Sequence, residues 1–319
     1  MKLYALENNF LRVTLLTTGA TLYSLEVKPL NNRNIVLTTK DIKHYETPLN
    51  GYFGATVGPV AGRLKDGKFT VNGKTFKTEQ NEKETNTLHG GFSSFAFKEF
   101  NVAVVGESQI VFEYMTSEDE GGFPGIMSLR VIYTLLEYGL EVNYHASCTK
   151  DTIINITNHS YFNLDGQGTI LDHTLSAFVE ASYELDNKQI NIKPLKAKRG
   201  SIFDLRRPKK LKEIVLHPNI NTFPTMGLDH LLVVPDGELV FETSDLRLKV
   251  NADYEGYQLY STNFPHEFTL LDDTKVNLHR GLAIEPVALV TSETHEYKNL
   301  ELKAQDSYEK TIVYEITLL

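Results

Sequence analysis

The feature that most constrains this 319-residue chain is the spacing of its apolar residues, which recur at every second position over much of its length. Period two puts successive side chains on opposite faces, as half-buried strands require. No window carries an apolar stripe at i, i+3, i+4 for three turns or more, so packed helices are excluded as the main architecture. Residues 69–76 read as two short strands joined at Asn72-Gly73, a dipeptide suited to a tight hairpin. A meander follows over 110–115, 128–136, 140–147 and 152–158, with breaks at 120–125 and 137–139 where turn residues gather. The C-terminal third continues with strands at 238–243, 246–252, 258–262, 268–272 and 311–318. Short turns of helix are expected only near 39–44 and 208–215. No Gly/Ser-rich or Pro-rich linker divides the chain and no fixed-period repeat runs through it. The expectation is mainly β: one large antiparallel β-sandwich with few short helices, a single domain over 1–319. A tandem pair of smaller sandwiches would match the strand count but would call for a linker.

Composition narrows the function classes. Asp and Glu number 41 against 32 Lys and Arg, a net charge of -9, which argues against a nucleic-acid or anionic-membrane binder. One cysteine, Cys148, cannot form an intrachain disulfide. No stretch approaches the roughly 18 apolar residues of a membrane span, and residues 1–9 hold no leader-like apolar run. A soluble, cytoplasmic protein is expected. Oligomeric state is not written in these features.

Segments that break the strand pattern carry the candidate chemistry. Arg63 is the only charge in the glycine-rich run 54–63, which lacks the ending of a phosphate loop. His89 precedes two glycines, and His159 sits in the donor-rich run 155–164. Glu285 ends the apolar run 282–285, where an unpaired carboxylate would cost several kcal/mol or hold its proton more tightly. Asp229 follows Gly227 and Leu228. The sequence holds no His-Glu-x-x-His, no cysteine pair and no Gly-x-Ser-x-Gly elbow, so neither metal nor other cofactor is expected.

The ordered set of these segments resembles the aldose 1-epimerase, or galactose mutarotase, family. It includes Tyr52-Phe-Gly-Ala-Thr-Val-Gly58, Thr87-Leu-His-Gly-Gly91, Thr157-Asn-His-Ser-Tyr-Phe-Asn-Leu164, Leu171-Asp-His-Thr-Leu175, Phe203-Asp-Leu-Arg206 and Gly227-Leu-Asp-His230. The resemblance implies a galactose mutarotase-like supersandwich and interconversion of the α and β anomers of free aldohexoses such as galactose and glucose. It implies Glu285 as catalytic base, His159 as catalytic acid and His89 beside the ring oxygen. It also implies Arg63 and Asp229 as holders of sugar hydroxyls, and a monosaccharide as the ligand. Trp is absent among 16 Tyr and 17 Phe, so an aromatic wall for the sugar falls to Phe or Tyr, with Phe264 the candidate.

Two positions depart from the family pattern. Gly62 stands before the arginine where Asn is usual, and Val287 stands two residues after the base where Gln is common. Both are expected to remove hydrogen-bonding groups near the site. Two alternatives follow: a hexose-6-phosphate 1-epimerase using Lys198-Arg199 or Arg206-Arg207 for the phosphate, and a non-catalytic sugar-binding module.

Overall fold

The computed structural model describes residues 1–47, 51–290 and 295–319. Two large sheets dominate it. The nine-stranded sheet runs in the order Asn101–Val105, Gln109–Met115, Met127–Leu136, Gly139–Cys148, Tyr308–Leu318, Leu246–Ala252, Glu238–Glu242, Thr174–Ala177, Lys209–Lys210. The six-stranded sheet runs Tyr161–Phe162, Leu282–Val287, Gly256–Tyr260, Asp229–Val233, Ala181–Leu185, Asn191–Lys196. A four-stranded sheet at the N-terminus covers residues 3–34. The ladders within both large sheets are antiparallel.

Alternation builds the sandwich. Val131, Tyr133, Val142, Tyr144, Leu248, Val250, Ile312 and Tyr314 point inward from the large sheet and share one apolar core with Phe162, Leu232, Tyr257, Leu259, Leu282 and Ile284 of the smaller. The Phe162 and Tyr314 rings meet across the layers at 5.2 Å. Two of the buried tyrosine hydroxyls bond to backbone: Tyr257 donates to the Gly237 carbonyl at 2.7 Å, and Tyr133 to the Ala20 carbonyl at 2.7 Å.

The hairpin forms where expected, with Lys68–Val71 paired to Lys74–Lys77 and both Asn72 (φ 49°) and Gly73 (φ 72°) in left-handed backbone. Helix is confined to short pieces, Ile42–Glu46 and Leu211–Val215 among them. The strand expected over 152–158 divides in two. Thr152–Ile153 pairs with Glu301–Leu302, whereas Thr157–Asn158 pairs with Thr56–Val57. Asn155 intervenes, its carbonyl accepting from Ala61 and its side-chain oxygen from the Ala288 N–H at 3.0 Å. The strand expected at 268–272 lies earlier, at His266–Thr269. No helix among the described residues is long and apolar enough to cross a membrane.

Candidate active site

The six-stranded sheet has a second face, and the same alternation that fills the core fills that face with function. On Leu282–Val287, Leu282 and Ile284 enter the sandwich core, which turns Glu285 to the opposite side. On the neighbouring strand Tyr257 and Leu259 go inward, so Gln258 and Tyr260 face outward. The ladder sets Gln258 opposite Glu285 and Asp229 opposite Tyr260. Three adjacent strands thus present Glu285, Gln258 and Asp229 on one floor. Two glycine-rich segments roof it: Tyr52, Ala55, Val57 and Ala61 from one, and Ala96 from the other, pack against Leu231 and Val287. The cleft between floor and roof encloses about 240 Å³, and all six residues expected at the site line it: Arg63, His89, His159, Asp229, Phe264 and Glu285. That volume is near the small end of ligand clefts, roughly 300–1,000 Å³.

His159 is held by backbone pairing. Its N–H donates to the Ala55 carbonyl at 2.9 Å, and its carbonyl accepts from the Gly54 N–H at 3.0 Å. Asn158 points away from the cleft and ties the segment down, donating to the Gly54 carbonyl at 2.8 Å. His159 Nε2 reaches Glu285 Oε1 at 3.3 Å, with both side chains almost wholly buried. Burial pushes the His159 pKa down to about 4. Burial, reinforced by the Asp229 charge and opposed by Arg63, holds the Glu285 carboxyl well above the usual range. Both shifts disfavour the charged forms, so burial favours carboxylic acid and neutral imidazole over the ion pair. Glu285 Oε2 has no hydrogen-bond partner among the described residues.

His89 adopts left-handed backbone (φ 51°) and is bracketed by Gly62. The His89 N–H donates to the Gly62 carbonyl at 3.0 Å, while the Gly62 N–H donates to His89 Nδ1 at 3.2 Å. Nδ1 is therefore an acceptor, and the neutral ring carries its proton on Nε2. Burial, with His159 and Arg63 nearby, keeps the ring well below the ordinary imidazole pKa. The two histidine rings meet edge-on at 5.0 Å, and Tyr52 packs on both, at 4.7 Å from His89 and 5.7 Å from His159.

Arg63 and Asp229 form one charged network with residues the sequence did not single out. Arg63 Nε donates to both oxygens of Glu82, at 2.9 and 3.1 Å, and its guanidinium lies 3.5 Å from Asp229 Oδ2. Burial works against the Arg63 charge, but Asp229 and Glu82 outweigh it and raise its pKa. Asp229 also accepts from Gln258 at 2.6 Å and from Gln189 at 2.9 Å. Glu82, Gln189 and Gln258 leave no motif in the sequence, because each acts through a partner at least 19 positions away. Phe264 lines the cleft and is 46% exposed.

Of the two departures, only Gly62 reaches the cleft. Val287 shares the outward face of its strand with Glu285 but packs against the roof and does not line the cleft. Lys198-Arg199 and Arg206-Arg207 do not line the cleft either, and Arg206 is paired with Asp204 at 2.7 Å.

Ligand atoms of His89, His159 and Glu285 lie within 4.8 Å of one another, the kind of set that can hold a metal ion. The donor chemistry fits a metal poorly. A histidine that ligates through one nitrogen carries its proton on the other and donates it, yet His89 Nδ1 faces the Gly62 N–H. The set fits proton exchange better.

Comparison with known proteins agrees with this arrangement. The family profile described as Aldose 1-epimerase matches residues 2–315. Galactose mutarotase of Sus scrofa is 34% identical over 272 residues, covering 82% of this chain and 77% of that protein. Aldose 1-epimerase of Haemophilus influenzae is 32% identical over 312 residues, covering 93% and 90%. Among solved structures, the aldose epimerase homologue from C. elegans superposes with a TM-score of 0.89 at 26% identity, covering 100% of this chain and 99% of that one. Galactose 1-epimerase from Lactobacillus acidophilus superposes at 0.86 with 21% identity, covering 98% and 93%, a likeness of fold. With a profile matched almost end to end, relatives above 30% identity and a β-sandwich of the same form, this chain belongs to the aldose 1-epimerase family, a family of isomerases.

Proposed function

We propose that residues 1–319 form one epimerase domain that interconverts the α and β anomers of a free aldohexose such as galactose or glucose. In this reading Glu285 is the base, His159 the acid and His89 a second donor at the ring oxygen. The observation that carries it is the buried His159–Glu285 pair on the cleft floor, whose Glu285 Oε2 is left for a ligand.

The neutral pair already contains the proton the reaction needs. Its transfer from Glu285 to His159 gives carboxylate and imidazolium without exchange with solvent, and Arg63 favours the carboxylate. The carboxylate then takes the O1 proton while the imidazolium gives its proton to O5. The C1–O5 bond breaks, and C1 becomes a carbonyl carbon. His89 Nε2–H supports the charge that gathers on O5. Rotation about C1–C2 exposes the other carbonyl face. Reclosure returns the O5 proton to His159 and the Glu285 proton to O1, which restores the carboxylate and imidazolium, and return of the proton from His159 to Glu285 resets the neutral pair. Arg63 and Asp229 position the ring through its other hydroxyls, and holding the sugar in place supplies much of the acceleration.

The charge balance of the lining favours a neutral sugar. Arg63 already faces two carboxylates, Glu82 and Asp229, and no lysine lines the cleft among the described residues. Polarimetry on freshly dissolved α-galactose and α-glucose tests the reading. The purified protein should speed the decay of optical rotation to equilibrium. An unchanged spontaneous rate with both sugars would leave a binding module without catalysis.

A further inference from the structure

Arg63 and Asp229 approach each other in the cleft without closing. The nearest contact, Arg63 Nη2 to Asp229 Oδ2, is 3.5 Å. A formed bond between guanidinium and carboxylate is about 2.7–2.9 Å, and the two groups match as a two-pronged fork. Their side chains are only 18% and 8% exposed, so water screens the attraction weakly. Left alone, such a pair closes. A closed fork spends the N–H groups and lone pairs that sugar hydroxyls would use.

Each partner is also held by a second residue. Glu82 takes Arg63 Nε with both oxygens, at 2.9 and 3.1 Å, and does not itself line the cleft. Neither terminal nitrogen of Arg63 donates a hydrogen bond among the described residues. Gln189 donates at 2.9 Å to Asp229 Oδ2, the oxygen nearest Arg63. Its amide is fixed that way round, because its own oxygen accepts from Lys83 Nζ at 2.6 Å. Lys83 follows Glu82, so one turn holds Arg63 and also fastens the hairpin tip that carries Gln189. The Thr85 and Asn86 N–H groups close that turn on the Glu82 carbonyl, at 3.1 and 3.0 Å. Lys83 (φ 49°), Glu84 (φ 55°) and Gln189 (φ 63°) are all left-handed. Non-glycine residues in that region cost stability and persist where their surroundings fix them. Resting on the epimerase reading above, we propose that Glu82 and Gln189 are positioning residues. They compete for Arg63 and Asp229 and keep the pair open, which leaves the terminal N–H groups and carboxylate lone pairs to the sugar.

The test uses the full-length protein with Glu82→Ala, Gln189→Leu and both together, by crystallography and by polarimetry on fresh α-galactose. In Glu82→Ala the Arg63 side chain should swing onto Asp229 and make two bonds of about 3 Å or less. Its kcat/KM should fall about tenfold or more, and that of Gln189→Leu about threefold or more, with thermal unfolding little changed. Because both residues act on one pair, the double variant should lose at least about threefold less than the product of the single losses. Residues that served only the fold would lower the unfolding temperature, and their losses would multiply. The proposal is overturned if Arg63 stays 3.5 Å from Asp229 in Glu82→Ala, if both single variants turn over normally, or if the losses multiply in full. Should Glu82→Ala not fold, Gln189→Leu carries the same crystallographic test, with closure of the pair expected there too. These outcomes leave the epimerase reading intact. Wild-type protein that leaves the spontaneous rate unchanged sinks that reading, and the role of both residues with it.

Discussion

Glu285 is costly to place: a carboxyl 2% exposed, with one oxygen near His159 and the other without a partner among the described residues. Burial favours its protonated form and pushes the His159 pKa down to about 4, which bears on how activity should depend on pH. The working pair holds one exchangeable proton. Below the His159 pKa, about 4, it gains a second and loses the carboxylate form, so activity falls as pH drops through that region. Above the raised Glu285 pKa it loses its proton, and activity falls again. We therefore expect no acid limb in kcat/KM down to about pH 5.5, where an ordinary imidazole with a pKa near 6.5 would already have cost about tenfold. A pH–rate profile with its acid limb near 6.5 would show that His159 titrates as an exposed histidine and that the pair is not as described. Glu285, His159 and His89 were legible because each stands out against its immediate neighbours: a carboxylate ending an apolar run, and two histidines in glycine- or donor-rich breaks. Gln258 was not. A glutamine in an alternating strand is ordinary, and its bond to Asp229 comes from register between strands 29 positions apart.

The elements that aim these side chains owe their precision to close backbone approach. Gly54 is the clearest case: its φ is 66°, and an added Cβ would lie 2.1 Å from the Leu22 carbonyl oxygen. Its N–H and carbonyl both serve the His159 segment, through the His159 carbonyl and the Asn158 amide. Gly54→Ala should cost about 3 kcal/mol of stability and displace His159 as well. Urea unfolding and kcat measured together check this, and a variant with normal midpoint and turnover would remove Gly54 from that role. Most strands were legible from period two alone, because a sheet with one face on a core must alternate. The expectation of one strand over 152–158 failed for a local reason. Its Thr and Ile residues are β-formers, yet Thr152–Ile153 and Thr157–Asn158 bond to different partners, and Asn155 between them bonds to Ala61 and Ala288. Nothing in local propensity records that change of partner.

Across the whole molecule, the sandwich works as a device for convergence. Arg63, His89, His159, Asp229 and Glu285 span more than two hundred positions of chain and meet in a cleft of about 240 Å³. Alternation turns one face of the six-stranded sheet to the core and leaves the other for chemistry, while the two glycine-rich segments supply the roof and His89, and the run 155–164 supplies His159. That convergence was expected from the family resemblance, since no spacing rule brings residues 63 and 285 together. Which neighbours complete the site depended on the folded register. It set Glu82, Gln189 and Gln258 around Arg63 and Asp229, and put Val287 outside the lining. The central claim is that the buried pair exchanges protons with the sugar, and the polarimetric rate of Glu285→Gln on fresh α-galactose tests it most directly. The amide keeps the shape of the side chain and cannot take the O1 proton. Turnover should fall by about 10² or more against the wild type at the same concentration, with thermal unfolding little changed. Near-normal turnover by that variant would contradict the account.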